Sequence, residues 1–315
     1  MVKFSRRQFM KFFGFGIGSA LLLQMMSRTG VAQAVRTSNG RKKRVISTDH
    51  DLVKVKGKDP GAITRRAIEG LGGMSRFVKK GGVVVIKPNI GWDRAPETGA
   101  DTNPDVVAAL VEMCYAAGAK RVNVFDNPCN NPQRSYENSG IKRAAEAKGA
   151  KVYYMDSWNF VKAQFPYDSP MEGWPVYRDA IECDTFINVP VLKHHGLTGL
   201  TLAMKNLMGV CGGMRGQIHF NIGRKLVDMA DFIKPELTVI DGYRYLTRNG
   251  PTGGNLGDVE DLQSVIASAD ITLADVYASR LAGKDPNSIS YIANAIERGF
   301  GSPYYAQKDI VEVSI

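Results

Sequence analysis

Gly81-Gly82-Val83-Val84-Val85-Ile86-Lys87-Pro88-Asn89 decides the fold. Four consecutive apolar residues launched by a glycine pair read as a strand buried on both faces, because a strand with one wet face would alternate apolar and polar. Pro104 then opens a helix over Val106–Ala117, and Gly118 closes it. The alternation continues in both directions. Val122–Phe125 reads as a strand, Tyr136–Lys148 as a helix stopped by Gly149, and Val152–Met155 and Thr185–Val189 as strands. Thr198–Met208 and Lys225–Phe232 read as helices, Leu237–Ile240 as a strand, Asp261–Ser268 as a helix, Ile271–Leu273 as a strand and Ser288–Arg298 as a helix. Strands apolar on both faces need helices on both faces. The fold class is therefore α/β, a mostly parallel sheet with right-handed crossovers and Rossmann-like layering.

In such sheets ligands collect beyond the carboxyl ends of the strands. Here those ends are polar: Lys87-Pro88-Asn89, Asp126-Asn127-Pro128, Pro190-Val191-Leu192-Lys193-His194-His195, Asp241-Gly242 and Ala274-Asp275. One such loop is ordinary, since Asn and Asp often cap the next helix. Five together point to a site rich in cations and hydrogen-bond donors along one sheet edge.

A larger pattern runs through the same segments. Ile86-Lys87-Pro88-Asn89, Asn188–His195, Met204-Lys205-Asn206-Leu207-Met208-Gly209, Val239-Ile240-Asp241-Gly242 and Gly250-Pro251-Thr252-Gly253 resemble, in order and rough spacing from Val83 to Ala282, the family catalogued as domain of unknown function 362. The resemblance implies a shared fold and pocket and supplies no established reaction. Some members carry an appended ferredoxin-like iron–sulfur module, which this chain, ending at Ile315, is expected to lack. Members usually place a threonine-like residue where His194 stands.

Lys87, Lys193 and Lys205 are the first chemical candidates, with Asn89 and Asn206 as companions. A lysine at a strand end holds a carboxylate or phosphate, or forms a Schiff base if burial lowers its pKa; the bland alternative is a surface lysine. Neighbours in an extended segment face opposite ways, so His194 and His195 do not serve one centre; the resemblance points to His195. The catalytic set read from the sequence is His195, Lys193 and Lys205. A divalent metal bound by His195, His219 and Asp241 is a second use of the same residues, and satisfied structural histidines are the third. Gly209–Gly216 is dense in glycine, so its backbone N–H groups can approach an anion with Arg215 completing the grip, although the spacing is not that of a P-loop. Asn249–Gly254 reads as a tight turn or lid, giving Gly250 and Gly253 as binding positions beside Lys87, Asn89, Asn206 and Arg215. Asp241, Asp270 and Asp275 either hold a cation, orient a histidine or cap helices.

Ser5-Arg6-Arg7-Gln8-Phe9-Met10-Lys11, the glycine-softened apolar run Phe12–Met26 and Val31-Ala32-Gln33-Ala34 resemble a twin-arginine export signal with a peptidase site. This makes residues 1–34 a signal peptide, the translocase a partner and the periplasm the expected destination; a retained signal would be the one membrane contact. The formal charge of +10 resides in residues 1–44, leaving 45–315 neutral, so bulk charge gives no reason to expect nucleic acid. Residues 35–44 read as a solvated basic leader and 45–315 as a single α/β domain, or two closely packed lobes. Cys114, Cys129, Cys183 and Cys211 form no C-x-x-C pair. The sequence thus reads as an exported α/β enzyme or cofactor-dependent protein binding an anionic small molecule. The alternatives are a periplasmic ligand- or metal-delivery protein without turnover, and a redox protein with an iron–sulfur cluster built from dispersed cysteines.

Overall fold

Val84 and Ile86 turn to one side of the sheet and Val85 to the other, and all three are fully buried. This pattern recurs across the central strands and requires a packed layer on each face. The computed structural model describes residues 36–42, 44–301 and 307–315. The signal read over residues 1–34 lies outside them. Thr37–Ile315 form one compact unit.

Among the described residues the strands in chain order are β1 Thr37–Ser38, β2 Leu52–Lys56, β3 Val83–Pro88, β4 Arg121–Val124, β5 Lys151–Val152, β6 Phe160–Ala163, β7 Pro175–Tyr177, β8 Thr185–Val189, β9 Val191–His195, β10 Gly199–Thr201, β11 Leu237–Leu246, β12 Val259–Ser268 and β13 Ile310–Ser314. The main sheet has the order β13-β2-β12-β11-β8-β3-β4-β5, with β9 also paired to β11 and β10 to β9. Pairing is parallel from β11 through β5, and antiparallel where β12 lies between β11 and β2. A separate small sheet has the order β1-β6-β7.

From β3 the chain steps to β4 and β5 in one direction, whereas β8 and β11 lie on the other side of β3. The helices Pro60–Gly70, Pro104–Ala116 and Ile141–Glu146 pack on one face through Ile63, Val107, Leu110 and Ile141. The helices Ile222–Ile233, Ile271–Leu281 and Ser290–Glu297 pack on the other through Leu226, Met229, Leu273 and Ile292. Right-handed crossovers that step in opposite directions must lie on opposite faces, so the strand order reverses between β3 and β8 and opens a crevice at their carboxyl ends.

Several sequence expectations are corrected. Asp261–Ser268 is not a helix but part of strand β12, Val259–Ser268, because Ser264–Ser268 sits between β11 and β2 in antiparallel register. A short apolar run does not by itself distinguish a buried strand from a helix. Ile271–Leu281 is a helix, started by Asp270, whose carboxylate accepts from the backbone N–H of Thr272 and Leu273. Thr198–Met208 is β10 followed by a short helix, Ala203–Asn206, and a 3-10 turn, Leu207–Val210. Tyr136–Lys148 is split at Gly140 (φ 72°) into Pro132–Asn138 and Ile141–Glu146.

The described part of the basic leader is not wholly a solvated arm, although Arg36 and Lys42 are exposed. Thr37–Ser38 pairs with β6, and Arg41 is buried. Its guanidinium grips Glu236 through bonds of 2.8 and 2.7 Å, and it donates to the Cys183 carbonyl at 2.7 Å. Arg44 reaches the Phe77 carbonyl and the Thr185 hydroxyl. A guanidinium whose charge is met by a carboxylate can be buried where an unpaired one cannot, although Arg41 Nε itself has no hydrogen-bond partner among the described residues.

Candidate functional site

The crevice between β3 and β8 holds a cleft of about 400 Å³. β3 delivers Lys87 and the following Asn89, and β9 delivers Lys193 and His195, whose two-residue spacing puts both on one face. The Ala203–Asn206 helix supplies Lys205 and Asn206; the segment after it supplies Gly209, Arg215 and His219; and Gly250 with Pro251 closes a further side. His194 faces away and accepts from the Gly250 N–H at 3.1 Å, fixing that loop to β9. Any side chain at Gly250 would run into the His194 carbonyl, which explains the glycine.

The three lysines differ in their bonding. Lys87 is almost fully buried; its Nζ lies 2.8 Å from Asp126 Oδ1 and donates to Asn206 Oδ1 at 2.7 Å. Burial lowers its pKa and the Asp126 charge opposes that shift. Asn206 also donates to the Lys87 carbonyl and to Asn188 Oδ1, so one amide ties β3, β8 and the short helix together. Lys193 donates to the Ala100 carbonyl and, at 3.3 Å, to Asn89 Oδ1. Burial lowers Lys193 and raises Asp101, and the opposite charge of each counteracts the shift of the other. Asp101 Oδ2 is buried without a hydrogen-bond partner.

Lys205 is bonded differently. Among the described residues it takes part in no ion pair; its Nζ lies 3.4 Å from His219 Nε2 and 3.7 Å from the Met208 sulfur. Burial, helped by the nearby Lys193 charge, brings its pKa down to about 7. Burial, then the charges of Lys205 and other neighbours, pushes His195 down to about 3, so it is neutral at physiological pH.

The hydrogen bonds assign opposite tautomers to the two imidazoles. His195 Nδ1 accepts from the Leu197 N–H at 3.2 Å, which leaves the proton on Nε2. His219 Nδ1 sits 3.1 Å from the Gly216 carbonyl and so carries the proton, which leaves the Nε2 lone pair facing Lys205. The rings stack at 5.6 Å.

Lys87, Asn89, Lys193, His195, Lys205, Asn206, Arg215, His219 and Gly250 all line this cleft. Two sequence candidates do not. Asp241 is buried elsewhere and accepts from the backbone N–H of Asn103 at 2.7 Å and of Tyr243 at 3.0 Å, tying the 104–116 helix to β11. Gly253 serves the turn instead: it has φ 56°, and a side chain there would press on Leu246. Asp275 caps the short helix from outside by accepting from the Ala203 and Met204 N–H groups. Among the described residues no three His, Cys, Asp or Glu side chains are arranged to hold a metal ion, so His195, His219 and Asp241 are not brought together as ligands. The four cysteines are free; Cys114, Cys183 and Cys211 are buried and Cys129 is exposed at the cleft.

Asp126, Asn127, Trp92 and Thr201 line the cleft without having been assigned a role from the sequence, and Cys129, named there only among the dispersed cysteines, lines it too. Asp126 stood in a strand-end loop, where the carboxyl-end rule already pointed. Trp92 and Thr201 carried no local signal.

Residues 84–280 match the family described as Domain of unknown function (DUF362). The chain belongs to this family. One relative is the "Thylakoid-associated protein sll1697" of Synechocystis, 31% identical over 242 residues, which are 74% of this chain and 73% of that protein. Among solved structures, the lactate racemase apoprotein of Thermoanaerobacterium thermosaccharolyticum aligns with a TM-score of 0.44 at 11% identity, over 77% of this chain and 58% of that one. A Thermotoga maritima protein aligns with a TM-score of 0.41 at 12% identity, over 72% and 60%. This chain spans less than two thirds of either structure.

Proposed function

We propose that the cleft binds a small anionic molecule, a carboxylate or a phosphate ester, as the ligand of an enzyme. The observation that carries this reading is the charge of the lining: Lys87, Lys193, Lys205 and Arg215 converge on it, and Asp126 is the one lining carboxylate among the described residues. Asp126 is consumed by Lys87 and Lys193 feels the charge of Asp101 behind the lining, which leaves Lys205 and Arg215 without an ion-pair partner among the described residues. Neutral His195 presents Nε2–H as a hydrogen-bond donor. A buried donor set of this kind gains most when an anion enters it.

Turnover is favoured over simple capture by the Lys205–His219 pair. An amine with a pKa near 7 beside an imidazole lone pair is suited to exchanging protons at neutral pH. Delivery of a metal by this cleft has less support, because His195 Nε2 carries its proton and no ligand set is assembled among the described residues. We further propose export of the chain through the twin-arginine route to the periplasm, on the strength of the residues 5–34 pattern. Thermal-shift and calorimetric screening of short carboxylates and phosphates tests the binding. Saturable binding that fails in Lys193→Met supports it, and a flat screen removes it. Replacing Arg6 and Arg7 by Lys and following secretion tests the export.

A further inference from the structure

We propose that Lys205 is a covalent nucleophile that forms an imine with an aldehyde or ketone carried by the anionic ligand. This rests on the anion-binding reading and names the substrate class within it: an oxo acid or a carbonyl phosphate. The structure separates Lys205 from the other two lysines. Lys87 is held by Asp126 and Asn206, and Lys193 by the Ala100 carbonyl and Asn89. An amine in a buried ion pair would have to break that pair before attacking. Lys205 lines the cleft and is buried, and among the described residues its hydrogen-bond partners are a nitrogen lone pair and a thioether. His219 cannot present a proton to it, because its proton is committed to the Gly216 carbonyl, so His219 Nε2 is placed to accept one. Beside this pair, His195, whose ring stacks on His219 at 5.6 Å, presents Nε2–H as a neutral donor suited to a carbonyl oxygen as it gains charge.

The reaction balances without a redox partner. His219 Nε2 takes a proton from the Lys205 ammonium. The freed amine attacks the carbonyl carbon, the C–N bond forms, and the carbonyl π pair moves to oxygen. That oxygen takes the proton held on His219 Nε2 to become a hydroxyl, the nitrogen gives a second proton to Nε2, and Nε2 passes it to the hydroxyl, so that the C–O bond breaks with loss of water and leaves a protonated C=N. Lys193 and Arg215 hold the anionic end, and the buried setting limits hydrolysis by bulk water.

The test uses the folded chain with pyruvate, glyoxylate or glyceraldehyde 3-phosphate, followed by sodium borohydride and peptide mass mapping. Propionate and glycerol 3-phosphate are carbonyl-free controls for binding. The expected result is one reduced adduct on Lys205, lost in K205R and blocked by the bound controls. Binding of the controls with adducts absent, or scattered over surface lysines, overturns the imine and leaves the anion reading standing. Failure of every anion to bind overturns both. Because mapping on the unmodified chain locates the adduct, the result does not depend on the variant folding.

Discussion

Lys87 Nζ and Asp126 Oδ1 form an ion pair of 2.8 Å with both side chains almost fully buried, and Gly209 lies against it. A Cβ at Gly209 would fall on Asp126 Oδ1 and 2.5 Å from Lys87 Nζ. The pair therefore sets both the floor of the cleft and the identity of the residue above it. Asp126 also accepts from the Ile90 and Asn127 N–H groups, which joins the two strand ends.

Removing one member of such a pair leaves a buried charge uncompensated. Asp126→Ala should cost about 3–5 kcal/mol, read by urea unfolding. Gly209→Ala should cost about 1–3 kcal/mol by overpacking and should also weaken anion binding. A neutral effect of Gly209→Ala would show that the pair does not form the floor.

His195 should act as a neutral donor rather than a titrating base. His195→Gln retains a donor and should keep most of the anion affinity; His195→Ala should lose about 1 kcal/mol or more by calorimetry. Neither variant should remove a pH step between 5 and 8, since the imidazole stays uncharged down to about pH 3. An affinity step near pH 6.5 that disappears in His195→Ala would contradict this.

Lys205 gives the pH dependence its sign. Its folded pKa of about 7 lies below the usual lysine value of 10.5. It adds positive charge to the cleft below about pH 7 and loses it above, so affinity for propionate or phosphate should fall as pH rises through 7. Stability runs the other way. Between about pH 7 and 10.5 the unfolded chain holds a proton that the folded chain has released, so this group's contribution to stability increases with pH. Lys205→Met should flatten both profiles.

The N-terminal residues 37–44 should matter to the fold and not to the cleft. Arg41→Met strands Glu236 in the interior and should destabilise by about 3–5 kcal/mol, measured by denaturant unfolding. Anion affinity at temperatures where the variant is folded should be unchanged. A chain beginning at residue 37 should keep its stability, whereas one beginning at residue 45 should lose it.

The crevice was legible because it depends on patterns the sequence carries openly: apolar runs for the central strands, and polar residues at their ends. Lys87, Asn89, Lys193, His195, Lys205, Asn206 and Gly250 followed from those ends and from motif order, and Arg215 and His219 from the glycine-dense loop and the histidine after it. What was not legible depended on pairing across long separations. Val259–Ser268 has a helix-like composition until β2 and β11 flank it. Asp241 and Asp275 look like site carboxylates until backbone N–H groups occupy them. Arg41 looks like part of a solvated run until Glu236, far along the chain, is placed beside it. Local composition describes a side chain's chemistry, and only the fold supplies its partner.

The most direct test is calorimetric titration at pH 6.5 of short carboxylates and phosphates into the chain and into Lys193→Met. The account predicts saturable, near-stoichiometric binding to the unmodified chain that falls at least about tenfold when the buried charged donor is removed. Equal affinity in the two proteins, or no binding of any anion to a folded chain, would contradict it.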